Sequence, residues 1–364
     1  MYLTKISDLE SGDTLAKKIY TSDNEVLLEK GTELNSRYIK KLESFGITHV
    51  YIEDENLVEV EDVVCEEVKQ VAVSTAKECL QGLDSLTIDR EVTNDKKKKG
   101  LIDPQEITDL IEDIIDNIFN KPELFVNLRD VRKLDDELYF HLTNVTTLSL
   151  IVGKVLGYDK EKLKSLGIGA FLHDIGKAAV EASILNKAGE LTDGEFAEIQ
   201  KHTVYGYQIL KDIDQISEAS ALVAYQHHEK CDGSGYPQGL TKDQIGVFSR
   251  IVTIADIFDA MQNNRVYRIG LKTKEIIDYL LSMASKQELD AEIVDKFLAY
   301  LVPFPVGCKV RLGNGCEGVV TKINKDNVNR PVIKVLKINK RELEEYFEID
   351  TSEELTGYEI EELL

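Results

Sequence analysis

The sequence predicts a multidomain chain that is mainly α, with a small α+β domain at its N-terminus and a short β-rich segment near its C-terminus. Three observations predict this. From Pro104 to about Val302 apolar residues recur at helical spacing almost without a break. On either side of that stretch, short apolar runs alternate with glycine-rich turns, which is a strand pattern. A length of 364 residues also exceeds one typical domain.

In chain order, residues 1–54 read as the small α+β domain. Val26-Leu27-Leu28 and Val50-Tyr51-Ile52 are strand-like, and Ser36 to Phe45 is helical, with Tyr38, Leu42 and Phe45 on one stripe and Gly46 as its stop. His49, alone beside Val50, reads as a strand-edge histidine. Residues 55–104 read as a helical and charged linker. It ends in the breaker Lys96–Lys99, Gly100 and Pro104, and such a like-charge block is usually a solvated loop. Residues 105–303 form the helical domain. Leu110, Ile111, Ile114, Ile115, Ile118 and Phe119 make one apolar face, and Leu138, Leu142, Val145, Val152 and Leu156 the next. Further helices are expected around 160–175, 193–210, 217–228, 243–261, 273–284 and 290–301, with Thr192 and Glu195 as a capping box. Residues 304–364 are the β-rich extension. Strands are expected at 309–312, 318–323 and 332–338, followed by an acidic tail from Glu342.

Composition excludes several function classes. A formal net charge of −22 argues against long nucleic acid, which needs a basic surface. It leaves room for a small anion held by metal ions and a few local cations. No apolar run reaches the roughly 18 residues of a membrane helix. The first residues carry neither the basic nor the apolar region of a signal peptide. Cys65, Cys79, Cys231, Cys308 and Cys316 are odd in number and lack paired spacing, so reduced thiols in a cytoplasm are expected.

Five of the six histidines fall in the helical domain: His141, His173, His202, His227 and His228. Carboxylates accompany them. Glu137 lies four residues before His141, hence on the same helix side. Asp174 follows His173, and Asp256 stands among Ile251, Ile254, Ala255 and Phe258. Histidine is the commonest side-chain metal ligand, and an aspartate in a core helix is expensive unless paired or metal-bound. A single core histidine is usually satisfied by a backbone carbonyl, but several in one domain strain that explanation. Imidazole and carboxylate donors without cysteine suit iron or manganese, and zinc less well. Eight donors suggest two metals, with Asp174 as a bridge and Glu137 available for a third. Such sites activate water as hydroxide for in-line phosphoryl chemistry. Lys177 is spaced to meet a phosphate oxygen. Arg265 and Arg268, around Tyr267, suit phosphate or a guanine edge. Asp232-Gly233-Ser234-Gly235-Tyr236-Pro237 is a tight loop at the rim. Asp259, one turn past Asp256, could order Arg265 or accept a proton.

The segment from about Glu137 to Arg268 resembles the HD-GYP phosphodiesterases, a branch of the HD superfamily of metal-dependent phosphohydrolases. The resemblance rests on His173-Asp174-Ile175-Gly176-Lys177, His202, His227-His228-Glu229 and Asp232-Gly233-Ser234-Gly235-Tyr236-Pro237. It continues through Arg250-Ile251 and Ile254-Ala255-Asp256 to Asp259-Ala260. It implies hydrolysis of cyclic di-GMP to linear pGpG or GMP at a centre of two or three divalent metals, with Asp174 and Lys177 in the chemistry. It implies Glu137, His141, His173, Asp174, His202, His227, His228 and Asp256 as metal ligands, Lys177, Arg265 and Arg268 as contacts to phosphate or guanine, and Tyr236 as part of the loop that shapes the site. With them, Asp259 is expected among the substrate contacts on its position beside Asp256. It also implies a possible docking of a diguanylate cyclase or another signalling protein through the Gly-Tyr-Pro loop or the terminal domains. Cys231, Gln262 and Val266 depart from the family pattern without removing a ligand. Two alternatives stay open: a cyclic di-GMP-sensing or cyclase-docking module with little activity, and an enzyme for another cyclic dinucleotide.

Overall fold

The computed structural model describes residues 1–21, 25–60, 62–84, 102–121, 137–187, 189–262, 273–324, 327–339, 341–353 and 358–364. The chain divides into two compact units, and the division differs from the sequence boundaries. One unit joins Met1–Val63 with Tyr300–Leu364 and a short internal stretch, and the other holds Val64–Leu124 and Leu138–Ala299. Contacts between residues far apart in sequence make the first unit, and local periodicity carries no signal for them.

In that unit β1 (Tyr2–Lys5) pairs antiparallel with β4 (His49–Ile52), and β2 (Ile19–Tyr20) with β3 (Val26–Leu28). Helix α1 (Ser36–Ser44) starts at Asn35, whose side chain accepts from the amides of Arg37 and Tyr38. Leu15, Ile19, Leu34, Leu42 and Val50 form the core between them. His49 opens β4 opposite Lys5, so it is a strand-end histidine as expected. The C-terminal part is a five-stranded sheet of order β8-β7-β6-β5-β9: β5 (Lys309–Leu312), β6 (Cys316–Lys322), β7 (Val332–Ile338), β8 (Arg341–Asp350) and β9 (Ile360–Leu363). The acidic tail therefore contains two strands that sequence reasoning missed. A register shift opposite Val335 and Lys337 breaks the alternation of β8, and its glutamates mask Leu343 and Ile349.

The helical unit opens with α2 (Glu66–Asp84) and α3 (Pro104–Asn120). Helix α2 is part of this unit rather than a linker, because Ala72, Val73, Ala76, Cys79 and Leu80 are buried on one side. The Lys96–Lys99 block lies outside the described residues. Asp103 caps α3 through the Gln105 and Glu106 amides, with Pro104 at the first helical position. Ile107, Leu110, Ile111, Ile114, Ile115 and Ile118 are buried on one face, each burial stabilising by about 2 kcal/mol. Phe119, expected on that face, is exposed instead, with the Lys154 ammonium 4.5 Å from its ring centroid. It follows Ile118 by about 100° and so leaves the stripe.

Next come α4 (Glu137–Val155) and α5 (Lys160–Phe171), then a 3-10 turn (Ile175–Ala179) and the short α6 (Ala182–Leu185). The helix expected over 193–210 is two: α7 (Asp193–Gln200), with the Thr192–Glu195 capping box in place, and α8 (His202–Leu210). They are followed by α9 (Glu218–Gln226), α10 (Val247–Gln262), α11 (Thr273–Ser285) and α12 (Ala291–Leu298). Helix α9 packs on α5, α8 and α10. Gly176 fixes the approach of the 3-10 turn to α8, since a Cβ there would lie 1.9 Å from the His202 carbonyl oxygen. Among the described residues, no helix is long and apolar enough to cross a membrane.

Candidate metal centre

Seven of the predicted donors come together inside the helical unit. His141 lies mid-way along α4 and Asp256 mid-way along α10, and the other five sit at helix ends. His173 and Asp174 follow the last turn of α5, His202 opens α8, and His227 and His228 close α9. Leaving the helix frees each adjacent pair from the roughly 100° divergence of successive helical side chains. His173, His202 and His227 are essentially inaccessible, and His141, Asp174 and Asp256 are buried.

Asp174 is the hub. Its Oδ1 lies 3.5 Å from His202 Nε2 and 3.7 Å from His227 Nε2. Its Oδ2 lies 3.4 Å from His173 Nε2 and 3.9 Å from His141 Nε2, and accepts a hydrogen bond from Lys177 Nζ. On the other side, His141 Nε2 is 3.2 Å from Asp256 Oδ1. Three groups of donors close enough to share an ion overlap here: Asp174 with His202, His227 and His228; His141 with His173 and Asp174; and His173 with His227 and Asp256.

The surrounding polar groups aim these donors. His173 Nδ1 lies 2.7 Å from the Ala170 carbonyl, His202 Nδ1 2.6 Å from that of Ile199, and His227 Nδ1 3.1 Å from those of Val223 and Ala224. A carbonyl can only accept, so each Nδ1 donates and each Nε2 is turned toward the cluster. His141 uses a carboxylate instead: its Nδ1 donates to Asp259 Oδ2 at 2.7 Å, and Asn144 Nδ2 donates to Asp259 Oδ1 at 2.8 Å. Asp259, expected among the substrate contacts, is thus fully buried behind His141. Helical spacing put it near Asp256 but could not tell which neighbour would claim it. Asn144, overlooked in the sequence, completes this arrangement.

The electrostatics suit a cation. Burial pushes the His227 and His202 imidazoles down, and holds His228 at about 4, so all three are neutral at ordinary pH. Burial works against the charged forms of Asp174 and Asp256 as well, yet both stay well below the usual carboxylate range. Lys177 and the histidines outweigh burial at Asp174, and His141 does so at Asp256. Burial also opposes a charged His141, but its bonds to Asp256 and Asp259 raise it to about 9. The two carboxylates thus draw positive charge toward themselves. His173 Nε2 and Asp174 Oδ1 are buried without a hydrogen-bond partner, which costs about 1–3 kcal/mol each unless something else binds them. Three neutral imidazoles, two ionised carboxylates and two orphaned donor atoms together fit divalent metal.

The rim is formed by the loop after α9. Glu229 is buried, and its carboxylate accepts from the Gln238 and Leu240 amides at 2.7 and 2.9 Å. Gly235 lies so close to residues 228–230 that any Cβ would meet backbone within 2.5 Å. The Tyr236 ring comes to rest 4.8 Å from that of His228, centroid to centroid. Asp290 accepts from Lys242 and Arg250 and holds the far side of the loop. Cys231 donates its amide to the Glu288 carbonyl there. Arg265, Val266, Tyr267 and Arg268 lie outside the described residues, as does the side chain of Glu137. Gln262 ends α10 with its Oε1 buried and without a partner.

The family model described as HD domain matches residues 112–293, half of the chain. The chain belongs to the HD domain family. A cyclic di-GMP phosphodiesterase of Pseudomonas aeruginosa is 32% identical over 66% of this chain and 58% of its own length. A cyclic di-GMP phosphodiesterase of Thermotoga maritima is 33% identical over 56% of this chain and 54% of its own. A 3'3'-cGAMP-specific phosphodiesterase of Vibrio cholerae is 38% identical over 36% of this chain and 28% of its own. The chain therefore spans little more than half of the first two relatives.

Proposed function

We propose that this HD domain protein is a metal-dependent phosphodiesterase that opens cyclic di-GMP to linear pGpG, GMP or both. The observation that carries the reading is the buried cluster around Asp174, in which seven donors from five segments bring imidazole nitrogens and carboxylate oxygens to one place. His141, His173, Asp174, His202, His227, His228 and Asp256 would hold two ions, iron or manganese, and Glu137 is the candidate for a third. When bound, such ions supply Lewis acidity that offsets charge on the phosphate oxygens and acidifies water.

The chain's own groups do the rest. Asp174 is held ionised by Lys177 and the histidines. Lys177, tethered to Asp174 and part-exposed, can swing its ammonium onto a phosphate oxygen and balance charge as the ester opens. Arg265 and Arg268 are proposed to grip phosphate or guanine. The Glu229-tied loop walls the substrate with Tyr236. The free cysteines support a reducing, cytoplasmic setting.

The test is elemental analysis of anaerobically purified protein, with turnover of cyclic di-GMP followed on the same sample. Two or three irons or manganeses per chain with pGpG or GMP formed would bear the reading out. Occupied metals without turnover would favour a nucleotide-sensing module, or a platform for a diguanylate cyclase. A second reading, another cyclic dinucleotide as substrate, is favoured by the 38% identity to the cGAMP-specific relative. Parallel assays with 3'3'-cGAMP and cyclic di-AMP decide it.

A further inference from the structure

We propose that Phe196 and Tyr236 form an aromatic shelf that stacks a purine base of the substrate, and that Phe196 is a base-binding residue. This rests on the cyclic-dinucleotide reading above. Phe196 lies on α7 and keeps 48% of its surface exposed. Its ring stands edge-on to Tyr236, with centroids 6.4 Å apart and planes at 78°. Tyr236 in turn lies over His228 at 4.8 Å, and His228 meets His202 at 5.1 Å. A continuous series of rings therefore leads from the donor cluster outward to Phe196.

Core packing does not account for this phenylalanine. No residue of α7 is buried, so the helix does not depend on a hydrophobic face. Polar bonds at its N-terminus hold it instead: the Thr192–Glu195 capping box, and Lys187 donating to both Glu195 oxygens at 2.6 and 2.8 Å. The opposite wall is equally fixed, because Glu229 ties the Tyr236 loop at two amides. Two aromatic rings held on separately anchored elements make a preformed apolar surface beside a cluster suited to phosphate. A base joined through one ribose to a phosphate at the cluster has to lie just outside it, where this surface is. Bases stack on aromatic side chains whatever their sequence, so the shelf would serve guanine and adenine alike.

The test compares wild type, Phe196→Ala, Phe196→Leu and Phe196→Trp as full-length, metal-loaded protein. KM for cyclic di-GMP is measured beside the inhibition constant of inorganic phosphate, which reaches the cluster but carries no base. The shelf predicts a KM raised about 10- to 100-fold in Phe196→Ala, from the usual worth of one base–aromatic stack. It predicts an unchanged phosphate constant and metal content, near-wild-type KM in Phe196→Trp, and a value close to alanine in Phe196→Leu. Unchanged KM in Phe196→Ala overturns the proposal, as does a phosphate constant that rises in parallel, or full rescue by leucine. Equilibrium dialysis of cyclic di-GMP covers a wild type that binds without cleaving: weaker binding by Phe196→Ala then supports the shelf while the catalytic reading fails. A wild type that neither binds nor cleaves any cyclic dinucleotide removes both.

Discussion

Asp259 offers the sharpest perturbation of the centre, because it touches the cluster through one residue. It accepts from His141 Nδ1 at 2.7 Å and Asn144 Nδ2 at 2.8 Å and is inaccessible to solvent. Replacing it with alanine strands two buried donors and removes the charge that orients His141. Loss of a partner that fixes a ligating histidine costs about 10- to 100-fold in metal affinity. That is roughly 1.4–2.7 kcal/mol at 1.4 kcal/mol per decade. The loss should be selective. His141 shares a donor group with His173 and Asp174, whereas Asp174, His202, His227 and His228 form a group without it. Asp259→Ala should therefore weaken one ion by that factor and leave the other in place. Asp259→Asn retains one acceptor for His141, provided the Asn144 amide flips to meet the new donor, and should fall between alanine and wild type. Chelator competition followed by elemental analysis reads both affinities, and circular dichroism checks the fold. An Asp259→Ala protein that keeps both ions at wild-type affinity would refute the positioning argument. Equal loss of both would refute the assignment of His141 to one group.

Four further outcomes follow from the same geometry. Asp174→Ala should lose bound metal and turnover together, and full activity in a folded, metal-poor variant would sink the mechanism. Gly176→Ala should destabilise by more than about 2 kcal/mol, since its Cβ would meet the His202 carbonyl at 1.9 Å; an unchanged melting temperature would contradict the close approach. Ile114→Ala, at a fully buried site of α3, should cost about 2–5 kcal/mol in urea unfolding, and a loss under 1 kcal/mol would place the residue outside the core. Burial opposes the charged form of Asp290, but Lys242 and Arg250 hold it below the usual carboxylate value, so its stabilisation is present above the unfolded pKa and disappears as pH falls through the lowered folded one. Asp290→Asn should then be about 1–3 kcal/mol less stable near pH 7, and the gap should narrow below about pH 4; a gap independent of pH would contradict the ion-pair account.

Much of the centre was legible in the sequence because metal donors are chemically distinctive and expensive to bury. His173 and Asp256 stand among apolar neighbours, and nothing but a shared partner makes that economical. The helices were legible for a similar reason: the α3 isoleucines repeat at a period that only a helix satisfies. Other features left no local trace. Spacing places Asp259 one turn from Asp256, but its role depends on α4, more than 110 residues away. The association of residues 1–63 with 300–364 depends on pairings between the two ends of the chain, which no periodicity encodes. Strand β8 was hidden because an interrupted register removes the alternation by which a strand is recognised.

The centre and its rim answer different questions about the reaction. On the proposed reading the donors around Asp174 would determine which bond is attacked, and a phosphodiester is the same in every cyclic dinucleotide. Relatives named for cyclic di-GMP and for 3'3'-cGAMP both align with this chain at more than 30% identity. Discrimination between them must then come from groups that touch the bases. Stacking on Tyr236 and Phe196 cannot supply it, because every purine offers a π-face. Hydrogen bonds to base edges can, since a buried polar group left unpaired by the wrong base costs far more than a changed contact area. On this argument a Phe196 variant should weaken cyclic di-GMP and 3'3'-cGAMP by the same factor. Arg265 and Arg268, whose guanidinium forks match a guanine edge, should instead change the ratio between the two substrates when replaced. Unequal losses in Phe196→Ala would transfer base choice to the shelf and remove it from the arginines.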